Sequence, residues 1–121
     1  MDGPRNVLGT ELEICCVDPL TGWHRDGWCR TEGGDLGLHV VCAQVTDEFL
    51  DFTASRGNDL RTPHPEMRFP GLADGDRWCV GVMRWKEALE AGAAPPLVLE
   101  STHIQALEWV DLGDLESHAV S

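Results

Sequence analysis

The stretch from Ser55 to Asp76, SRGNDLRTPHPEMRFPGLADGD, carries neither helical nor strand periodicity, yet it sits between two segments that read as helices. Connections in compact domains are usually about 4–6 residues, and unstructured loops beyond about 12–15 are mostly functional or disordered. Disorder does not suit this one. Leu60, Met67, Phe69 and Leu72 are apolar anchors that a loose linker has no use for. Pro63, Pro65 and Pro70 stiffen the backbone, and Gly57-Asn58 and Asp74-Gly75 are turn pairs that tolerate positive φ. The stretch therefore reads as an ordered surface loop, the kind of element that carries binding residues on a rigid scaffold. The plainer alternative is a loop that covers one end of the core.

Charge singles out the same region. The chain has 121 residues and a formal net charge of −12. Residues 1–54 and 87–121 are each strongly acidic, whereas residues 55–86 hold Arg56, Arg61, Arg68, Arg77, Arg84 and Lys86 and are net positive. Guanidinium groups suit carboxylate and phosphate. The competing role for each arginine is an ion pair with the protein's own carboxylates.

A chain of this length reads as one domain, residues 1–121, able to bury a real core. The negative charge repels nucleic acid and anionic membranes, so neither is an expected partner. Apolar runs are too short to span a bilayer, and MDGPRNVLG lacks an apolar signal region, which points to the cytoplasm. Cys15, Cys16, Cys29, Cys42 and Cys79 then read as free thiols in a reducing compartment. There is no C-x-x-C pair, and no P-loop, dinucleotide fingerprint, H-E-x-x-H or G-x-S-x-G motif. No cofactor is expected.

Along the chain, Asn6–Cys16 reads as a strand, Asp18-Pro19-Leu20-Thr21-Gly22 as a turn, Trp23–Arg30 as a hairpin arm and Glu32-Gly33-Gly34-Asp35 as a turn. Leu38–Val45, apolar on both faces, reads as an interior strand. Thr46 caps a helix that ends at Arg56-Gly57. Asp76 is the expected cap of a second helix, whose stripe is Trp78, Val82, Trp85 and Leu89 and which stops at Gly92. Leu97–Ser101 reads as a strand, Thr102 and Gln105 as a capping box, Trp109-Val110 as a short strand, and Asp111 as the cap of a terminal helix. Helices and strands without strict alternation indicate α+β: a two-layer sandwich of a small mixed sheet with helices packed on it.

Asn6-Val7-Leu8-Gly9, Asp18-Pro19-Leu20-Thr21-Gly22, Arg25-Asp26-Gly27, Thr46-Asp47-Glu48-Phe49-Leu50, Ser55-Arg56-Gly57-Asn58-Asp59-Leu60, Phe69-Pro70-Gly71-Leu72, Gly75-Asp76-Arg77-Trp78-Cys79 and Glu100-Ser101-Thr102-His103 occur in this order. Together they resemble a bacterial domain-of-unknown-function family, twenty-two thirty-seven, over nearly the whole chain. The resemblance implies a small two-layer α+β domain and implies no activity. The chain departs from the family pattern at Trp28 and Gly81, where the family tends to carry Cys.

Three chemistries are open to these residues. Arg56, Asn58, Asp59, Arg61 and Arg68 can converge on a small carboxylate or phosphate, with Trp78 or Trp85 as an apolar wall. This small-anion-binding protein is the first reading. A thiol-dependent enzyme is the second, with Cys79 as nucleophile in the first turn of a helix and His103 as its base, His39 being the lesser choice. A structural or interaction module marked by exposed tryptophans is the third. No metal site is expected, because His39 and Cys42 point to opposite faces of a strand, as do Cys15 and Cys16, so that ligands would have to be gathered from distant segments.

Overall fold

The computed structural model describes residues 4–22, 25–30 and 38–120. The turn expected at Glu32-Gly33-Gly34-Asp35 and the first residues of the Trp23–Arg30 arm lie outside the described residues. Among those described the chain is α+β, with strands β1 (Val41–Gln44) and β2 (Arg77–Val80) and helices α1 (Asp47–Ser55), α2 (Val82–Glu90) and α3 (Leu112–Glu116).

β1 is the centre of the expected interior strand. Val40, Val41, Cys42, Ala43 and Val45 are fully buried, as a strand apolar on both faces must be. β1 pairs antiparallel with β2 in the register Val41↔Val80, Cys42↔Cys79, Ala43↔Trp78 and Gln44↔Arg77. On the other side of β1, Leu97 forms a single antiparallel bridge to Ala43 and a parallel one to Ala119. The sheet among the described residues is thus a two-stranded antiparallel ladder with isolated bridges beside it. The strands expected at Asn6–Cys16, Leu97–Ser101 and Trp109-Val110 shrink to isolated bridges, 3-10 turns or irregular backbone.

α1 follows the local signals. The Thr46 hydroxyl accepts from the Phe49 N–H, and Asp47 and Glu48 lie in the first turn. At its other end the Asn58 N–H reaches the Thr53 carbonyl and the Gly57 N–H reaches that of Ala54, with Gly57 at φ +88°. These are the two bonds of a Schellman cap. α2 departs from expectation at its start. Asp76 receives the Ala73 N–H instead of capping a helix, and Trp78 and Cys79 belong to β2. Gly81 is the residue before the helix. The apolar stripe from Trp78 to Leu89 fits a helix locally, but pairing with buried β1 outweighs that weak preference over Arg77–Val80.

The Thr102–Gln105 capping box is replaced as well. The Thr102 hydroxyl accepts from the Cys42 N–H and donates to the Val98 carbonyl, while the His103 Nδ1 takes the Gln105 N–H. Asp111 stands at the N-cap position of α3 as expected, but its side chain makes no cap hydrogen bond.

The cysteines overturn the free-thiol expectation. Cys15 is bonded to Cys42 and Cys29 to Cys79, and Cys16 alone is free. All four bonded residues are buried in one cluster. The sequence shows neither pairing, since the partners come from segments 27 and 50 residues apart.

The N-terminal segment is organised by Asn6, which is fully buried. Its side-chain oxygen accepts from the Leu8 and Thr10 N–H groups. Its amide donates toward the Thr10 hydroxyl and the Glu100 carbonyl. Neighbouring backbone bonds run from Val7 to Thr102 and from Ile104 to Arg5. Asn6→Ala leaves several of these groups without a partner, so it should lower the unfolding free energy by about 1–3 kcal/mol. Urea unfolding of the two proteins measures this, and an unchanged midpoint would show that water replaces Asn6 without cost.

Candidate functional site

The central loop is ordered by its own backbone. His64 and Phe69 exchange N–H···O bonds around a 3-10 turn over Pro65–Met67, and Arg68 closes that turn in the left-handed region at φ +53°. The Leu72 N–H returns to the Leu60 carbonyl. Gly71 permits the close return: its φ is +81°, and a Cβ there would lie 2.5 Å from the Arg61 carbonyl oxygen. Phe69 and Leu72 are buried, as anchors should be, and Leu60 packs against the core. Met67 departs from expectation, being 61% exposed.

Folded back in this way, the loop encloses a cleft against β2. A cavity of about 200 Å³ is lined by Gly22, Arg25, His39, Asp59, Leu60, His64, Met67, Phe69, Trp78 and Cys79. An adjoining recess of about 120 Å³ shares His39, Leu60, Trp78 and Cys79, and adds Asn58, Val80, Gly81 and Arg84. The walls are chiefly apolar. Trp78 and Phe69 meet edge to face at 5.1 Å, and the Arg25 guanidinium lies 5.0 Å from the centre of the Trp78 ring.

Arg25 is held in place by two carbonyls. Its Nε donates to the Arg68 carbonyl at 3.2 Å and its Nη1 to the Gly22 carbonyl at 2.6 Å. Burial and, after it, the charge of Arg68 lower its pKa. In the adjoining recess Arg84 donates to the Arg56 carbonyl at 3.1 Å. Each lining arginine is therefore hydrogen-bonded to the backbone of a loop arginine. The charge pattern does not single out Arg25, since it lies in the acidic stretch of residues 1–54, far from the loop in sequence.

Of the residues singled out from the sequence, Asn58, Asp59, Trp78, Cys79 and the lesser base candidate His39 line the cleft. Arg56, Arg61 and Arg68 do not. Arg56 lies over the Phe52 ring at 5.2 Å. Arg61 bridges Asp47 (2.9 Å) and Asp51 on α1, and these hydrogen bonds, Asp51 first, raise its pKa. Asp59 accepts from the Thr62 hydroxyl and the Arg61 and Thr62 N–H groups, and these bonds hold its carboxyl below the usual range. The Asn58 amide also donates to the Thr53 hydroxyl, so it shares its role with the helix cap.

Cys79 lies in a strand rather than the first turn of a helix, and it is bonded to Cys29, so this form has no Cys79 thiolate. His103 lines neither recess. Its ring is half-buried, and burial pushes its pKa down. Trp85 is sealed in the core with its Nε1 on the Pro95 carbonyl, and Trp109 is the exposed tryptophan among those described.

The fold and cleft define a class: a small α+β protein with an apolar recess framed by a stiff loop and bordered by arginines. The chain belongs to the bacterial family described as "Uncharacterized protein conserved in bacteria (DUF2237)", which matches residues 5–119. No curated protein matches it. Among the described residues no helix is long and apolar enough to cross a membrane.

The lowered His103 pKa sets a sign for the pH response. The unfolded chain binds the His103 proton near pH 6.5, whereas the folded chain binds it only at lower pH. Stability from this residue is present above about pH 6.5 and is lost as pH falls toward the folded value. His103→Asn keeps an acceptor for the Gln105 N–H. It should flatten the stability profile below pH 6.5, as measured by thermal unfolding at a series of pH values; an unchanged slope would rule His103 out as its source.

Proposed function

We propose that this protein binds a small organic anion, an apolar or aromatic monocarboxylate, in the cleft between the central loop and β2. The observation that carries the reading is Arg25: a guanidinium partly withdrawn from water, set against Trp78 and close to the like charge of Arg68. A site that gathers like charges beside apolar walls is stabilised by an anion. The two recesses, at about 200 and 120 Å³, fall below the roughly 300–1,000 Å³ of drug-sized pockets, which favours a ligand of few atoms. The apolar walls favour a carboxylate over phosphate, whose greater charge needs more charge-assisted donors. In this arrangement Arg25 holds the carboxylate, Arg84 and Asn58 border the second recess, and Phe69, Leu60 and Trp78 cover the apolar part. Asp59 stays ionised and repels an anion from its own end, so it sets the ligand's direction.

The reading includes a protein that takes neither nucleic acid nor an anionic membrane, in keeping with its net charge of −12. Catalysis by Cys79 with His103 has less support, because Cys79 is disulfide-bonded and His103 lines neither recess.

The test compares benzoate, neutral benzamide and inorganic phosphate by thermal shift and calorimetry. Benzoate should stabilise the protein, and benzamide and phosphate should do so much less. Arg25→Gln keeps a donor for the local carbonyls but loses the charge. It should weaken benzoate binding by at least about tenfold, roughly 1.4 kcal/mol, while Arg61→Ala should leave it unchanged. Equal binding of benzoate and benzamide, or full binding by an Arg25→Gln protein that melts like wild type, would overturn the reading.

A further inference from the structure

We propose that Cys15, Cys29, Cys42 and Cys79, when reduced, form a closed zinc site that joins the N-terminal segment to the β1–β2 ladder. Two disulfides that merely staple a chain have no need to touch. Here they share one cluster, and the sulfurs of Cys15, Cys29 and Cys79 all lie within 4.8 Å of one another, with Cys42 bonded to Cys15. Zinc bound by four thiolates at about 2.3 Å needs sulfurs about 3.8 Å apart. The bonded pairs would open by a little under 2 Å from a normal disulfide length of about 2.05 Å, the Cys15 sulfur already lies within 4.8 Å of those of Cys29 and Cys79, and Cys42 would complete the set as it parts from Cys15.

The backbone suits this rearrangement. Cys42 and Cys79 are register partners on one face of the ladder, so two ligands are placed by the sheet. Cys15 and Cys29 come from the N-terminal segment, with Cα atoms 5.7 and 5.2 Å from those of their partners. All four residues are buried, which leaves no open coordination position. A closed set of four thiolates is a structural metal site rather than a catalytic one, and tetrahedral sulfur coordination selects zinc among common divalent ions.

A phosphine reductant supplies two electrons to each disulfide and is oxidised to the phosphine oxide with oxygen from water. Water also supplies the two protons per disulfide, so that four thiols result. Each thiol loses its proton on binding the metal, and one Zn²⁺ displaces four protons.

Cobalt is the probe. The full chain is reduced with a phosphine, titrated with Co²⁺, and followed by visible absorption and far-ultraviolet dichroism. One Co²⁺ per chain with the bands of tetrahedral thiolate coordination, displaced by Zn²⁺, is the expected result. Cys15→Ser, Cys29→Ser, Cys42→Ser and Cys79→Ser should each weaken binding by more than the roughly 10–100-fold typical of losing an outer-shell partner. Cys16→Ser should leave it unchanged. Should the reduced chain unfold, refolding on one equivalent of cobalt also supports the site. Absence of thiolate bands, in a folded or an unfolded reduced chain, overturns the proposal. So does binding that survives both Cys29→Ser and Cys42→Ser undiminished.

Discussion

Across the β1–β2 ladder Cys42 and Cys79 stand opposite each other, and each is joined to a segment that has no helix or strand of its own among the described residues. Ladder bonds and packing hold β1 and β2 together. The N-terminal segment, which forms no ladder among the described residues, is attached by isolated bridges, scattered hydrogen bonds such as those of the Asn6 hub, and these two covalent links. In the chain-entropy account, closing loops of 27 and 50 residues restricts the unfolded chain by about 3–5 kcal/mol each. The loops overlap in sequence, so the two terms are not independent. Thr21 reinforces the same junction: its hydroxyl accepts from the Cys79 N–H at 2.8 Å, which brings the Asp18–Gly22 turn onto β2.

That attachment also builds the cleft. Arg25 and Gly22 form one wall only because their segment is fastened to β2, and Gly22 itself fits tightly: a Cβ there would lie 2.5 Å from the Trp28 carbonyl oxygen. The opposite wall is the central loop, held by the His64–Phe69 bonds and the return of Leu72 to Leu60. Cys79 belongs both to the sulfur cluster and to the cleft lining. The state of the cysteines and the shape of the recess are therefore joined through one strand of four residues.

Charge is arranged on the same scaffold. Arg61 lies with Asp47 and Asp51 of α1 and holds the start of the loop against that helix. Arg56 and Arg68 offer their carbonyls to Arg84 and Arg25. A carbonyl oxygen satisfies a guanidinium donor without cancelling its charge, so Arg25 stays cationic beside Trp78.

By itself the sequence determined the features whose causes are local. Thr46 and Gly57 bound α1 through hydroxyl and left-handed caps, the Asp18–Gly22 turn forms as its residues dictate, and the prolines and anchors of the central loop produce an ordered loop. The candidate cleft was legible in part: Asn58, Asp59, Trp78, Cys79 and His39 line it. Tertiary structure decided the remainder. Arg77–Val80 became a strand because buried β1 needed a partner, against a helical stripe that ran through it. The cysteine pairs, Arg25's place over Trp78, and the capping role of His103 all join residues distant in sequence or displaced from their local pattern. Local propensity is worth a few tenths of a kcal/mol per residue, whereas pairing and burial of a whole segment are worth several times that. Which distant segments meet is therefore settled by the packed core, not by the pattern along the chain.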